Sequence, residues 1–220
     1  MSPRGRRPRT EKREPSRKQL MVAAIDCFAR LGYQGTSIER IARAVGVTKG
    51  AVYYHFRDKE ELLFSAVKDR IGGFEKQVLD AVTGAGDAQS ALRRVVDACF
   101  VHATVSNHRR FIITLMVEAL DTNPRLSAEF QRILRRMRAF LADLVRRGQA
   151  QSSMRSDVTP EMAAALIAAA IIGAEVQHYQ DPTEIDLRAT LDTTLDALAT
   201  WLAPGGATQG IAASGGATTW

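Results

Sequence analysis

The residues with chemistry to offer cluster between Thr36 and Lys59. Thr48, Lys49, Tyr53, Tyr54 and His55 each carry a hydrogen-bond donor, Thr36 and Ser37 add hydroxyls, and Lys59 adds a second ammonium. No Ser/His/Asp set, metal-ligand pair or phosphate-cradling glycine loop accompanies them, so the pattern does not describe catalysis, and no catalytic residue or cofactor is assigned. It does suit an acceptor-rich polyanion. A lysine ammonium can donate to guanine O6 and N7, and a threonine methyl can touch the thymine methyl. Gly50 lets the backbone approach closely but reads nothing itself. Thr36 and Ser37 fall at a helix start, where free N–H groups and the helix dipole attract a phosphate.

These side chains need two short helices joined by a tight turn. Thr36 and Glu39 have the spacing of a capping box, and Ile38, Ile41, Ala42 and Val45 then recur on one helical face. Gly46 suits the left-handed conformation that ends a helix, Val47 turns inward, and Thr48 caps a second helix that buries Val52 and Phe56. Small Ala42, four residues before Gly46, keeps the first helix thin where the two cross. That is a helix-turn-helix, whose second helix enters the DNA major groove. A preceding helix is expected over Ser16–Leu31, opened by a Ser16/Gln19 box, with Leu20, Ala24, Phe28 and Leu31 on its apolar face. A third box, Asp58/Glu61, opens a helix running to about Val82.

The remainder reads as helices near 87–105, 108–121, 124–149, 160–179 and 184–202. Pro124 and Pro160 sit in first turns behind Asn123 and Thr159. No segment alternates with period two, so the expected fold class is all-α, with about nine helices. The 6% aromatic content also favours helices over sheets. Four segments are expected: a disordered basic arm over 1–15, a DNA-binding domain over 16–62, a C-terminal domain over 63–203 and a flexible tail over 204–220.

The net charge of +6 is uneven: residues 1–60 hold 14 Lys/Arg against 6 Asp/Glu. A basic first quarter fits a polyanion, and charge alone leaves nucleic acid and an anionic membrane surface both open. Arginines in the arm suit a DNA backbone or minor groove, and a solubilising tail equally. Cys27 and Cys99 form no metal or redox motif and are expected as buried thiols of a cytoplasmic protein. The longest apolar run, Met162 to Ala174, is too short to span a bilayer, so no membrane partner is expected.

The first 65 residues resemble the DNA-binding domain of the tetracycline-repressor (TetR) family. The residues that carry the resemblance are Ala23-Ala24, Phe28, Gly32-Tyr33, Gly35-Thr36-Ser37-Ile38, Ile41-Ala42, Gly46-Val47, Gly50, Val52-Tyr53-Tyr54-His55-Phe56, Lys59 and Leu62-Leu63. It implies a homodimer that reads a palindromic double-stranded operator, most often as a repressor, and is released by a small-molecule effector. An activator of the same fold and, apart from the resemblance, a helical enzyme with a basic arm are the alternatives. It also places Tyr53, His55 and Lys59 at positions that bind backbone phosphates.

Two helices supply the expected dimer surface. Residues 162–174 are apolar nearly all round and offer Leu166, Ala170 and Gly173, while the final helix carries a stripe that includes Leu191, Leu195 and Leu198. An apolar or amphipathic effector has a thinner signature. His102, Asn107, Thr114, Glu118, Gln177 and His178 are polar groups on otherwise apolar helices, and Phe111 and Leu115 lie beside them. The basic run Arg132, Arg135, Arg136 and Arg138 is a solvated face or a seat for an anionic ligand such as an acyl-CoA. Scattered histidines without a His-x-x-x-His pair give no metal site.

Overall fold

Capping side chains set most of the helix starts. The computed structural model describes residues 15–105 and 107–205, and among these are nine helices and no strand. They are α1 (Arg17–Gly35), α2 (Ile38–Ala44), α3 (Lys49–His55), α4 (Lys59–Val82), α5 (Ala88–Val105), α6 (His108–Thr122), α7 (Pro124–Ala150), α8 (Pro160–Gln180) and α9 (Leu187–Leu202). All but Pro15 of the expected arm, and nearly all of the expected tail, lie outside the described residues.

The Ser16/Gln19 box closes in both directions. Asp58 accepts from the Glu61 amide at 2.7 Å, but the Glu61 carboxylate takes the Arg57 amide at 2.9 Å rather than that of Asp58, so the return half of the third box lies one residue early. Asn123 and Thr159 cap α7 and α8 through the amides of Leu126 and Met162, as their prolines imply. The last helix starts three residues later than expected. Asp181 holds a turn through Thr183 and Glu184, and Asp186 then caps α9 through the Ala189 amide.

Two corrections concern the end of α1. Gly32 takes φ +70° and bends the helix, which then makes one more turn to Gly35 instead of ending at Leu31. Leu31, expected on the apolar face, is exposed beyond the reach of the core.

The chain divides into two units, Met1–Gln77 with His102–Ser127 and Val78–Val101 with Ala128–Trp220. In the first, Leu20, Ala24, Phe28, Ile41, Val52, Phe56 and Leu62 are no more than 1% exposed. Each of the larger ones contributes about 1.5–3 kcal/mol through burial. The Arg17 guanidinium lies 4.6 Å from the Phe56 ring centroid and donates to Ser65 Oγ at 2.8 Å, joining the start of α1 to α3 and α4.

In the second unit α8 packs on α9, with Ala163, Ala164, Ile167, Ala168 and Ile171 buried alongside Leu187, Leu191, Leu195 and Leu202. By length and composition α8 could cross a membrane, yet seven of its residues, Glu175 among them, are buried. Arg155, 7% exposed, pairs with Asp157, and its amide donates to the Leu202 carbonyl at 2.7 Å. Cys27 and Cys99 are both buried and not bridged to each other.

Candidate nucleic-acid interface

The turn between α2 and α3 has the bonding of a Schellman motif. The Gly46 amide donates to the Arg43 carbonyl at 3.1 Å and the Val47 amide to Ala42 at 2.9 Å, with Gly46 at φ +70°. Thr48 then caps α3 by accepting from the Ala51 amide. Val52 and Phe56 face the core at 0% and 1% exposure and Ala51 and His55 are half-buried, while Tyr53 is 45% exposed and Tyr54 79%, and Thr48, Lys49 and Gly50 are exposed as well. One short helix is thereby split into an anchoring side and a donor side.

The start of α2 differs from expectation. Its cap is Ser37, which accepts from the Arg40 amide at 3.3 Å, and the Thr36/Glu39 box does not form. Thr36 is 2% exposed, and its hydroxyl donates inward to the carbonyls of Gly32 at 2.8 Å and Cys27 at 3.2 Å, so that hydroxyl does not face a phosphate. The Thr36 hydroxyl is thus engaged by the end of α1, beside the bend at Gly32.

Two further residues expected at phosphates are turned onto the protein's own backbone. Lys59 Nζ donates to the carbonyls of Tyr33 at 2.9 Å and Thr36 at 3.1 Å and sits 4.0 Å from the Tyr33 ring centroid. A cation there complements the carbonyl-rich end of α1. His55 Nε2 lies 3.0 Å from the Pro15 carbonyl, which can only accept, so that nitrogen carries the proton and is engaged. Lys49 is also occupied: its ammonium pairs with Glu39 and lies 5.5 Å from the Tyr53 ring centroid. Glu39 was read only as half of a capping box. Its nearness to Lys49 depends on the crossing of two helices, which no periodicity along one helix reveals.

The expected effector residues are placed less coherently. His102 stacks on Phe74, with ring centroids 4.3 Å apart. Burial, then the nearby Arg109, Arg70 and His108, hold its pKa down at about 4, so it is neutral near pH 7. Phe111 lies parallel to Phe28 at 6.3 Å and Leu115 is buried, so both serve packing. Asn107, Thr114 and Glu118 are exposed, and Glu118 is not embedded among apolar side chains as expected: neighbouring Val117 and Leu120 are exposed too. Gln177 and His178 belong to the second unit, where His178 Nδ1 meets the Ile185 carbonyl at 2.8 Å. On α7, Arg132, Arg135 and Arg136 are exposed, Arg138 is half-buried, and Arg132 pairs with Glu129.

Of the expected dimer residues, Leu191 and Leu195 are core within the single chain, at 1% and 3% exposure. Leu166, Ala170 and Leu198 instead line an open groove of about 710 Å³ along α8 and α9, with Thr190, Thr193 and Trp201 among the other lining residues. Gly173 is half-buried, with open space where a Cβ would stand. The threonines and Trp201 were not singled out in the sequence, since a face of threonine and alanine has no apolar period to detect.

Residues 20–66 match the family model for bacterial regulatory proteins of the tetR family, and residues 88–203 match that for the C-terminal domain of BetI-type transcriptional repressors. The chain belongs to the TetR family. It is a DNA-binding transcriptional regulator. Among curated TetR-type relatives, the fatty acid metabolism regulator protein of Bacillus subtilis is 23% identical over 188 residues, covering 86% of this chain and 96% of its own. A transcriptional regulator from Saccharomonospora viridis, solved with choline, superposes at a TM-score of 0.78 with 20% identity, covering 85% of this chain and 97% of that one. FadR of Bacillus subtilis, solved with stearoyl-CoA, gives 0.74 with 22% identity, covering 84% and 98%.

Proposed function

We propose that this TetR-family regulator is a homodimeric, cytoplasmic repressor that holds a palindromic operator through α3 and releases it on binding a small amphipathic effector. The observation that carries the reading is the two-sided α3: Val52 and Phe56 anchor it while Thr48, Lys49, Tyr53 and Tyr54 face out. In this reading residues 16–62 read DNA and residues 63–203 dimerise and bind the effector. Ser37 and Tyr53 meet phosphates, Thr48 and Lys49 meet base edges, and Tyr54 meets either.

A second copy is supported by the α8–α9 groove, whose Leu166, Ala170 and Leu198 leave apolar surface at the chain's own boundary. An acyl-CoA is the first effector to test. The basic face of α7 suits its phosphates, and a relative of the same fold is solved with stearoyl-CoA.

Binding-site selection from a randomised duplex library, followed by light scattering of the complex, tests the core of this reading. A two-fold consensus with half-sites about one helical turn apart, bound by two chains, is expected. A monomeric complex on an asymmetric site would overturn it. Leu166→Glu should then yield monomers and abolish tight binding. Release of the selected duplex by stearoyl-CoA, and its retention with choline, would support the effector class.

A further inference from the structure

The base-reading candidate Lys49 begins a seven-residue helix, where a positive charge opposes the helix dipole. Nothing in the fold's own needs calls for a lysine there. Glu39 lies in the first turn of α2, and the crossing of the two helices brings its carboxylate to the Lys49 ammonium. The side chains are 50% and 51% exposed, so solvent screens the pair and it adds little to folding. The hydrogen bond from Lys49 is the largest of several effects that hold the Glu39 carboxyl down at about 2, so it stays charged in any physiological buffer. The ammonium also lies over the Tyr53 ring, 5.5 Å from its centroid.

We propose that Glu39 is a specificity-determining residue: it cancels the pull of Lys49 on phosphates while holding the ammonium toward a guanine edge. The inference rests on the reading of α3 as the groove helix. Non-specific binding is driven by release of counterions from neutralised phosphates, and a lysine already neutralised contributes little to it. Base reading depends on direction instead. An ammonium has three donors; Glu39 takes one and leaves two for guanine O6 and N7. The carboxylate therefore lowers affinity for every sequence while sparing the matched one, and discrimination arises from the penalty on the wrong partner.

The test compares the full chain with Glu39→Gln on two probes: the best duplex selected from a random library, and a scrambled duplex of equal length. Glu39→Gln should tighten the scrambled duplex about two- to five-fold, the size of an exposed ion pair, and steepen its salt dependence by about one ion. The selected duplex should gain less, so the ratio of the two affinities falls. Equal gains on both probes, or none, overturn the proposal. In a Lys49→Met background the effect of Glu39→Gln on the ratio should vanish. Its persistence would mean that Glu39 reads a base by itself, for instance a cytosine amine, and would also overturn the proposal. If the unaltered chain binds neither duplex in a salt-dependent way, the groove-helix reading fails first, which is a distinct result.

Discussion

Replacing Lys59 with methionine removes an ammonium while keeping most of the aliphatic stem, so it isolates what the charge does. In the structure that charge ends on two carbonyls, Tyr33 at 2.9 Å and Thr36 at 3.1 Å, over the Tyr33 ring at 4.0 Å. A hydrogen bond from a charged donor contributes about 1.5–3 kcal/mol when buried; these are part-buried, so the lower end applies. The cation over the ring adds roughly 0.5–1 kcal/mol. Together Lys59→Met should destabilise by about 2–3 kcal/mol, or about 5–10 °C in melting temperature for a chain of this size. Urea or thermal unfolding of the full chain gives the number. DNA affinity should fall only as far as the start of α2 loosens, with the salt dependence unchanged. Unchanged stability, with weaker binding at every sequence and a salt slope shallower by about one, would refute the reasoning and restore Lys59 as a phosphate contact.

Thr36→Val removes a buried hydroxyl that serves two carbonyls, and chemical denaturation should show a loss of about 1–3 kcal/mol, no smaller than the roughly 1 kcal/mol expected for uncapping α3 with Thr48→Ala. At Gly148 an added Cβ would stand 2.5 Å from Met154 Sδ and 3.1 Å from Ala88 Cβ. Met154 is only 4% exposed, so Gly148→Ala should cost about 1–2 kcal/mol despite its better helix propensity. Met154→Ala should relieve the clash, making the double variant less costly than the sum of the singles. His102 has a folded pKa of about 4 against an ordinary 6.5, so the unfolded chain binds the proton more readily, and stability should fall as pH drops from 6.5 toward 4. The loss is at most about 3 kcal/mol. His102→Phe keeps a ring on Phe74 and should flatten that part of the curve; melting at pH 7.5 and pH 4.5 decides it.

Much of the local chemistry was legible in the sequence where one short segment contains the whole interaction, although the Thr36/Glu39 box does not form and the Asp58/Glu61 box closes in one direction. The Ser16/Gln19 box, the Gly46 turn, the Thr48 cap, and Pro124 behind Asn123 each depend on residues within about one turn of one another. Helix faces were legible for the same reason, so Val52 and Phe56 are core as their spacing requires. The structure departs from expectation where a side chain meets a partner far away in the sequence. Thr36 meets the Cys27 carbonyl nine residues back, Lys59 a carbonyl 26 residues away, and Glu39 meets Lys49 across a crossing. The leucine stripe of α9 was correctly periodic, but period identifies a buried face without saying which chain buries it. Leu191 and Leu195 are already buried within their own chain.

Around α3, the proposed groove helix, the residues that stabilise the fold differ from those assigned to recognition, and local energetics separate them. Thr36 and Lys59 sit where the fold uses them: a buried hydroxyl bonded to backbone carbonyls and a cation at a helix end both lower the energy of the free protein. Lys49 sits where the fold has no use for it, at the positive end of a short helix, and the carboxylate that accommodates it is half exposed and adds little stability. A residue against the local rule, met by a partner that barely improves the fold, points to a role in the bound state. On the proposed reading Tyr54, 79% exposed with its ring edge-on to adjacent His55, falls in the same group as Lys49. Substitutions at Thr36 and Lys59 should therefore register first in unfolding curves, and those at Glu39, Lys49 and Tyr54 first in the choice among DNA sequences.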